Sequence, residues 1–440
     1  LPARPTDSVA HRVRGAAARV ASTRHAPVFA SSYALIATTA VNAVLGLAFW
    51  VAAARLYPTD VVGLGAGGIS AMQLVATLGW VGLIFTLMRY VPIAGSARRR
   101  LIAGVYLAGV GVSIPLAVLL VVVGATRLDV GYVGAGGVAG VAFCACVAVW
   151  VVFTLQDSAL ISLRRAGVVT VENLLYGALK LVLLVALASI AQPWVLLGVW
   201  GGSALVFVVV VSGLLIPRHP LLRDPAPPPA SLSKGMVARF SAGHTAAAFI
   251  AIVPDYLVPL LVLRYLDAEA NAYFYAAWSV SLSARALAVN VTDALMVEAA
   301  YGRESFARLL RRLSRLFAIV LVPTILVLVL GAAPILRIFG ADYAQEGAGV
   351  LRLFALGLIP FTVVTLALAL DRLRQRFADA LTITAVGTVA TLGLDVLLIP
   401  RHGLTGAGLG WLGGQTLAAL VGLRTLRRRA ASSGSRGDFA

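Results

Sequence analysis

Charge and sulfur are both scarce in this sequence of 440 residues. Only 12% of the residues are charged and 18 are acidic, against the roughly 25% charged residues of an ordinary soluble domain. A chain this poor in charge cannot cover the surface of a soluble enzyme or binding module. The two cysteines, Cys144 and Cys146, stand in one apolar stretch, turned to different sides of a helix and without His or Asp neighbours. That excludes a disulfide framework and a metal site. No Gly-rich loop precedes a Lys-Ser or Lys-Thr pair, so ATP hydrolysis by this chain is excluded. No catalytic constellation occurs, and no cofactor is expected beyond an ion gradient or the membrane potential. Residues 1–30 carry Arg4, Arg12, Arg14, Arg19 and Arg24 without the pattern of a secretory signal, and are expected to be a cytoplasmic basic tail.

What fills the chain is apolar: 60% of residues are hydrophobic and the mean hydropathy is +0.93. Twelve apolar runs fall near 33–54, 63–90, 101–124, 133–156, 170–190, 194–216, 236–263, 272–298, 314–331, 347–370, 379–399 and 404–423. Runs of about 20 residues match the hydrocarbon thickness of a bilayer. Without the alternation of a barrel strand, each must be a helix that satisfies its own backbone. The expected fold class is therefore an all-α polytopic membrane protein of twelve transmembrane helices.

Basic residues number 36, giving a net charge of +18, and all but Lys180 and Lys234 are arginine. They cluster between runs rather than on a face, which argues for membrane topology and against nucleic acid. Alternate connections hold 28 basic residues on one side and 5 on the other, a bias that places both termini in the cytoplasm of a bacterial plasma membrane.

The longest hydrophilic break, 217–234 with Pro225, Pro227, Pro228 and Pro229, divides the runs six and six. The expected organisation is a basic tail 1–30, a six-helix lobe 31–216, a cytoplasmic Pro-rich linker 217–234, a second lobe 235–423 and a basic tail 424–440. A shift of about 209 residues superimposes Arg55-Leu56-Tyr57 on Arg264-Tyr265-Leu266, with acids following in both. Repeats of six helices keep one orientation, so the lobes should be related by an axis along the membrane normal, with a substrate path between them. Gly63-x-Gly65-x-Gly67 and Gly136-x-x-x-Gly140 lie in or beside apolar helices and read as close packing rather than nucleotide binding.

Polar groups at membrane depth are costly and mark candidate sites. In the eighth run, Trp278, Ser281, Arg285 and Thr292 share one helical stripe. Arg285, always charged and with five donors, suits a phosphate or diphosphate; a structural ion pair is the alternative. The second run presents Gln73 and Thr77 at the equivalent depth, and Asn42 extends the polar lining from the first. Asp255 sits between Pro254 and Pro259, where the missing backbone donors loosen the helix. It reads either as an ion-coupling acid on a moving part or as an acid snorkelling to water. Lys180, on one face with Asn173 and Tyr176, either lines a second cavity and serves coupling or pairs across helices. Glu172, about 12 Å along the axis, is too far to pair with it. Asp293, Glu298, Arg352, Asp395 and His244 read as structural or interfacial.

Phe49-Trp50, Ala54-Arg55-Leu56-Tyr57 with Asp60, and Leu87-Met88-Arg89-Tyr90 with Pro92 resemble the opening helices of bacterial polysaccharide transporters, of the multidrug/oligosaccharidyl-lipid/polysaccharide (MOP) flippase superfamily. Ala270-Asn271-Ala272-Tyr273-Phe274-Tyr275 with Trp278, Glu298-Ala299, and Gly340-x-x-Tyr343 ahead of Leu351-Arg352-Leu353 resemble its actinobacterial lipopolysaccharide-biosynthesis (O-antigen type) branch. The resemblance implies a flippase, not an enzyme, moving undecaprenyl-diphosphate-linked oligosaccharide from the cytoplasmic to the outer leaflet. Its expected partners are the lipid-linked glycan, membrane lipid, a polysaccharide polymerase and glycosyltransferases. Helices 1, 2, 7 and 8 would line the cavity, with Arg285 its cation at mid-depth. A proton- or sodium-coupled drug antiporter of the same superfamily is the alternative. A major-facilitator carrier is disfavoured because Tyr90 to Arg100 contains no acid, and a membrane glycosyltransferase because no sizeable outer loop exists.

Overall fold

The computed structural model describes residues 41–127, 137–228, 234–301, 306–373 and 376–433. The expected tail 1–30, the start of the first run and Pro229 lie outside the described residues, as do the side chains of His244, Asp293 and Glu298. The elements are α1 (Val41–Leu56), α2 (Thr59–Trp80), α3 (Leu83–Tyr90), α4 (Arg98–Arg127), α5 (Gly137–Ser162), α6 (Ala166–Ala186) and α7 (Pro193–Phe207), which runs on as a π-helical turn over Val208–Leu215. After the linker come α8 (Lys234–Tyr265), α9 (Ala268–Tyr301), α10 (Phe306–Leu330), α11 (Ala332–Arg337), α12 (Ala341–Leu373) and α13 (Phe377–Ser433). Among the described residues there is no strand.

By length and composition, eight helical stretches among the described residues can cross a membrane. The remaining apolar runs lie on the shorter α1, on α9 and α10, and on the second part of α13. Helix α13 carries the last two runs as one element, broken at Gly403, whose φ of 59° and ψ of −139° are non-helical. Glycine tolerates that conformation without a Cβ clash. The second run is likewise two helices, because the chain turns at Val81 and Gly82. Between the ninth and tenth apolar runs, α11 and the first turns of α12 occupy most of residues 332–346.

The outer surface is apolar: Leu107 is 73% exposed and Val138 87%. A soluble protein would aggregate through such a face, whereas hydrocarbon solvates it. The interior holds aromatic and small residues, and one continuous core runs from Phe49 and Trp50 through Met72 and Trp278 to Phe354 and Trp411, joining both halves of the chain. Small residues set the helix spacing. A Cβ on Gly65 would strike Leu196, and one on Gly201 would strike Cys146. Cys146 and Cys144 are both free thiols.

The Pro-rich segment begins as a docked strap. Arg98, at the start of α4, donates to the carbonyls of Val91 (2.9 Å), Pro92 (3.0 Å) and Leu221 (2.8 Å), and pairs with Asp224 at 2.8 Å. The Ser96 amide donates to the Ala226 carbonyl at 2.8 Å, beside Gly95 at φ 51°. The Ala226 N–H and the Arg98 guanidinium together hold the Asp224 carboxyl below the usual carboxylate range.

Candidate functional site: the cavity between the two halves

Helices α1, α2, α8 and α9 converge on a cavity of about 350 Å³ between the two halves. Asn42, Trp50 and Gln73 reach it from one side; Asp255, Tyr275, Ser279 and Ser283 reach it from the other. The halves also touch each other toward both ends of the helices that line it. At the end carrying the α1–α2 and α8–α9 connections, the Trp50 and Tyr275 rings lie 4.4 Å apart and the Asn271 amide donates to the Gly63 carbonyl at 2.7 Å. There Arg55 also donates to the carbonyls of Arg337 and Ile338, both at 2.8 Å. At the strap end, the Thr86 and Ser241 hydroxyls meet at 2.6 Å, Tyr90 packs edge-on against Phe240, and the Arg89 guanidinium lies 4.8 Å from the Phe240 ring. Gly63 and Gly82 permit these approaches, since a Cβ would meet the Ala268 carbonyl in one case and Ser241 and Thr245 in the other.

Behind Asp255 a smaller cavity of about 130 Å³ opens among α8, α9, α12 and α13. Arg285 lines it and grips Asp255 with two parallel bonds, at 2.8 and 3.1 Å. The side chains are 14% and 23% exposed. Trp278, Phe361 and Trp411 surround the guanidinium at 5.1–5.7 Å, a fit for a planar cation. Of the two roles open for Arg285, the closed arrangement therefore realises the ion pair. Asp255 faces both cavities, so the pair stands at their boundary. The helix bearing it is locally opened by proline. Pro254 has no N–H for the Ile250 carbonyl, and the Thr388 hydroxyl of α13 takes that carbonyl at 2.7 Å.

A third cavity, of about 320 Å³, lies within the first half and shares Asn42, Gly46, Trp50, Gln73 and Trp200 with the central one. Lys180 and Asp157 line it. The Asn173 amide donates to Asp157 at 3.2 Å, and the Gln156 amide donates to Glu172, which is buried. The Ser212 hydroxyl donates to Gln156 at 2.8 Å.

The other residues singled out in the sequence fall outside these three cavities. Trp278 is fully buried among Phe274, Phe354 and Trp411. Ser281 is buried with its hydroxyl unpartnered. The Thr77 and Thr292 hydroxyls turn back to the carbonyls of Gln73 and Ala288. From the stripe on α9, only Arg285 reaches one of these three cavities, because its long side chain extends past a face packed on Phe354 of α12 and Trp411 of α13. Asp395 is buried with both carboxylate oxygens unpartnered, facing Gly410 of the same long helix, and Arg352 is exposed and donates to the Val329 carbonyl at 3.2 Å. Asp157 lies one residue past the apolar run 133–156, whereas α5 continues to Ser162. The signal was a Gln-Asp pair one turn inside that helix.

No curated protein matches the sequence. A family model described as lipid II flippase MurJ matches residues 268–437. Among solved structures, the chain is similar to a lipid II flippase MurJ in an inward closed conformation, with a TM-score of 0.72 and 13% identity over 90% of this chain and 87% of that one. It is also similar to an inward-facing multidrug resistance MATE family transporter of the MOP superfamily, with a TM-score of 0.62 and 18% identity over 90% and 96%. A MOP superfamily transporter from Pyrococcus furiosus gives a TM-score of 0.56 and 16% identity over 92% and 96%. The chain thus has the membrane-embedded helical fold shared by MurJ and the MATE transporters of the MOP superfamily.

Proposed function

We propose that this protein is a lipid-linked glycan flippase that moves a polyprenyl-diphosphate-linked saccharide from the cytoplasmic to the outer leaflet of a bacterial plasma membrane by alternating access. The observation that carries the reading is a cavity between two halves that carries Asn42, Gln73, Asp255, Ser279 and Ser283, with separate contacts between the halves toward either end, in a fold that matches MurJ over 90% of the chain. Moving a charged head through hydrocarbon unaided is prohibitive, so the path must supply water, hydrogen bonds and opposite charge. The halves act as six-helix lobes, 31–216 and 235–423, with twelve crossings and the strap on the cytoplasmic side. Parting Thr86 from Ser241 opens the cavity inward, and parting Asn271 from Gly63 opens it outward.

Arg285 receives the diphosphate once Asp255 lets go. Protonation of Asp255, or an ion bound to it, removes the competing charge and frees the planar donor fork, which couples substrate to gradient. The polyprenyl tail stays in lipid. On the strap side an apolar groove of about 970 Å³ between α2, α4 and α8, with Arg100 in its wall, lies open to hold its first units.

The glycan is either lipid II, as the match to the MurJ model over 268–437 favours, or a repeat unit of O-antigen type, as the sequence motifs favour. Likeness to MATE transporters supports drug antiport as the second reading. Leaflet exchange of labelled undecaprenyl-diphosphate glycans in proteoliposomes, lipid II included, tests the proposal. Exchange of one of them that Arg285→Ala abolishes is the expected result. No exchange of any glycan, together with drug efflux, transfers the assignment to the antiporter.

A further inference from the structure

The basic side chain left without an ion-pair partner beside the central cavity is Lys180, not Arg285. Arg285 is held by Asp255. Lys180, 5% exposed at mid-length of α6, has no carboxylate within ion-pair distance among the described residues. Asp157, which lines the same cavity, accepts from the Asn173 amide, and Glu172 accepts from the Gln156 amide. The ammonium instead sits among three ring faces, 4.2 Å from Trp200, 4.8 Å from Phe49 and 5.0 Å from Tyr176. Ring quadrupoles offset part of the cost of burying a cation, yet they supply neither a hydrogen-bond acceptor nor a counter-charge. A cation so placed attracts an anion from the cavity it lines.

The walls of that cavity say what carries the anion. Trp150 and Trp200 lie 5.2 Å apart, and Phe153 and Tyr176 4.7 Å, so flat apolar surfaces border the space. Asn42, Gln73, Asn173 and Asp157 add planar amide and carboxylate groups along it. A pyranose ring presents a face of C–H bonds that stacks on an aromatic ring and an edge of hydroxyls that bond to planar amides and carboxylates. At about 320 Å³ the cavity stands at the lower end of the range of about 300–1,000 Å³ for small-molecule sites.

We propose that the cavity inside the first half is a sugar subsite and that Lys180 selects a pyranose bearing an oxyanion, which the shared lining joins to the central cavity. The proposal rests on the flippase reading for its purpose, though not for its chemistry. The oxyanion has two sources, the phosphate at the linkage of the first sugar or a carboxylate on an acidic sugar.

Saturation-transfer NMR on the full chain in nanodiscs, irradiating protein aromatic protons, separates them with three probes: glucose, glucose 1-phosphate and glucuronate. At least one anionic probe should receive saturation more strongly than glucose. Lys180→Met should weaken its apparent affinity at least about tenfold, the scale of one charged hydrogen bond. Lys180→Arg should restore part of it, and Trp200→Leu should weaken all three probes. Response to glucose 1-phosphate alone assigns Lys180 to the linkage phosphate, and response to glucuronate alone assigns it to an acidic sugar. Equal binding of all three probes, no binding of any, or wild-type affinity in a Lys180→Met protein that keeps its thermal unfolding profile overturns the proposal. The flippase reading fails separately: a protein that binds the anionic probe but flips no lipid-linked glycan keeps the subsite and loses the transport role. One that flips normally with Lys180→Met does the reverse.

Discussion

Asp255 and Arg285 form the pair on which substitution is most informative at the scale of single residues. Breaking a buried pair by removing one partner costs about 3–5 kcal/mol, whereas replacing both charges is nearly neutral. With side chains 14% and 23% exposed, this pair should fall at or below the low end of that range. Asp255→Asn is therefore expected to lower the unfolding temperature of the purified protein, and Asp255→Asn with Arg285→Gln to recover most of the loss. On the flippase reading, transport should separate from stability: the double variant keeps neither Arg285 for the diphosphate nor Asp255 for coupling and should stay inactive in the leaflet-exchange assay. Arg285→Lys keeps the charge without the planar fork and should recover only part of the activity. Asp224 gives the pH prediction. Its carboxyl is held below the usual value by the Ala226 N–H and Arg98, so strap docking is at full strength above the ordinary carboxylate pKa of about 3.9. It is lost as pH falls through the lower folded value. Hydrogen exchange at the Ser96 amide, whose acceptor is the Ala226 carbonyl, should accelerate in that acid window beyond the intrinsic pH trend, and Asp224→Asn should remove the extra step. Both partners of this ion pair were visible in the sequence as costly membrane-depth groups. Their pairing was not, because 30 residues and a helix turn separate them, and helical periodicity fixes a face without fixing which neighbour it meets.

At the scale of elements, the proline break in α8 is joined to α13 by one hydrogen bond. Thr388→Val strands the Ile250 carbonyl that Pro254 cannot satisfy, at a cost of about 1–3 kcal/mol. Pro254→Ala returns a helical N–H to that carbonyl. The cost of Thr388→Val should therefore shrink in the Pro254→Ala background, and a double-mutant cycle in unfolding free energy should show coupling of at least about 0.5 kcal/mol. Additivity would mean that the hydroxyl does not stand in for the missing donor. The proline pair next to an acid was legible as a loosened helix. Its stabilising partner was not, because a threonine in a distant apolar run looks like any other small polar residue. Asp157 was lost for a different reason: hydropathy ends a helix where charge begins, whereas the backbone carries α5 through to Ser162, with the acid turned inward.

For the whole molecule, the two closures predict alternation. With Cys144 and Cys146 replaced by alanine, Thr86→Cys with Ser241→Cys should form a disulfide where the hydroxyls now meet at 2.6 Å. Oxidation should then halt glycan exchange and reduction restore it. Continued exchange in the oxidised protein would remove the strap-end contact from the cycle. Topology is checked by labelling: an impermeant thiol reagent added outside cells should reach Glu269→Cys and not Ala226→Cys, as the 28 to 5 distribution of basic residues requires.

Composition and periodicity by themselves determined that the chain is helical and membrane-embedded, and that Arg285, Asp255, Lys180, Asn42 and Gln73 are polar groups costly to place at membrane depth. These follow from one-dimensional facts, namely the apolar length needed to cross hydrocarbon and the cost of charge within it. Only tertiary structure decided that Arg285 has an ion-pair partner while Lys180 has none, that Trp278 and Thr292 are packed away from these cavities, and that aromatic walls from α1, α5, α6 and α7 gather around one lysine. The physical reason is that a side chain's electrostatic state depends on atoms within a few ångströms. Which atoms those are is set by how helices far apart in sequence are rotated against one another.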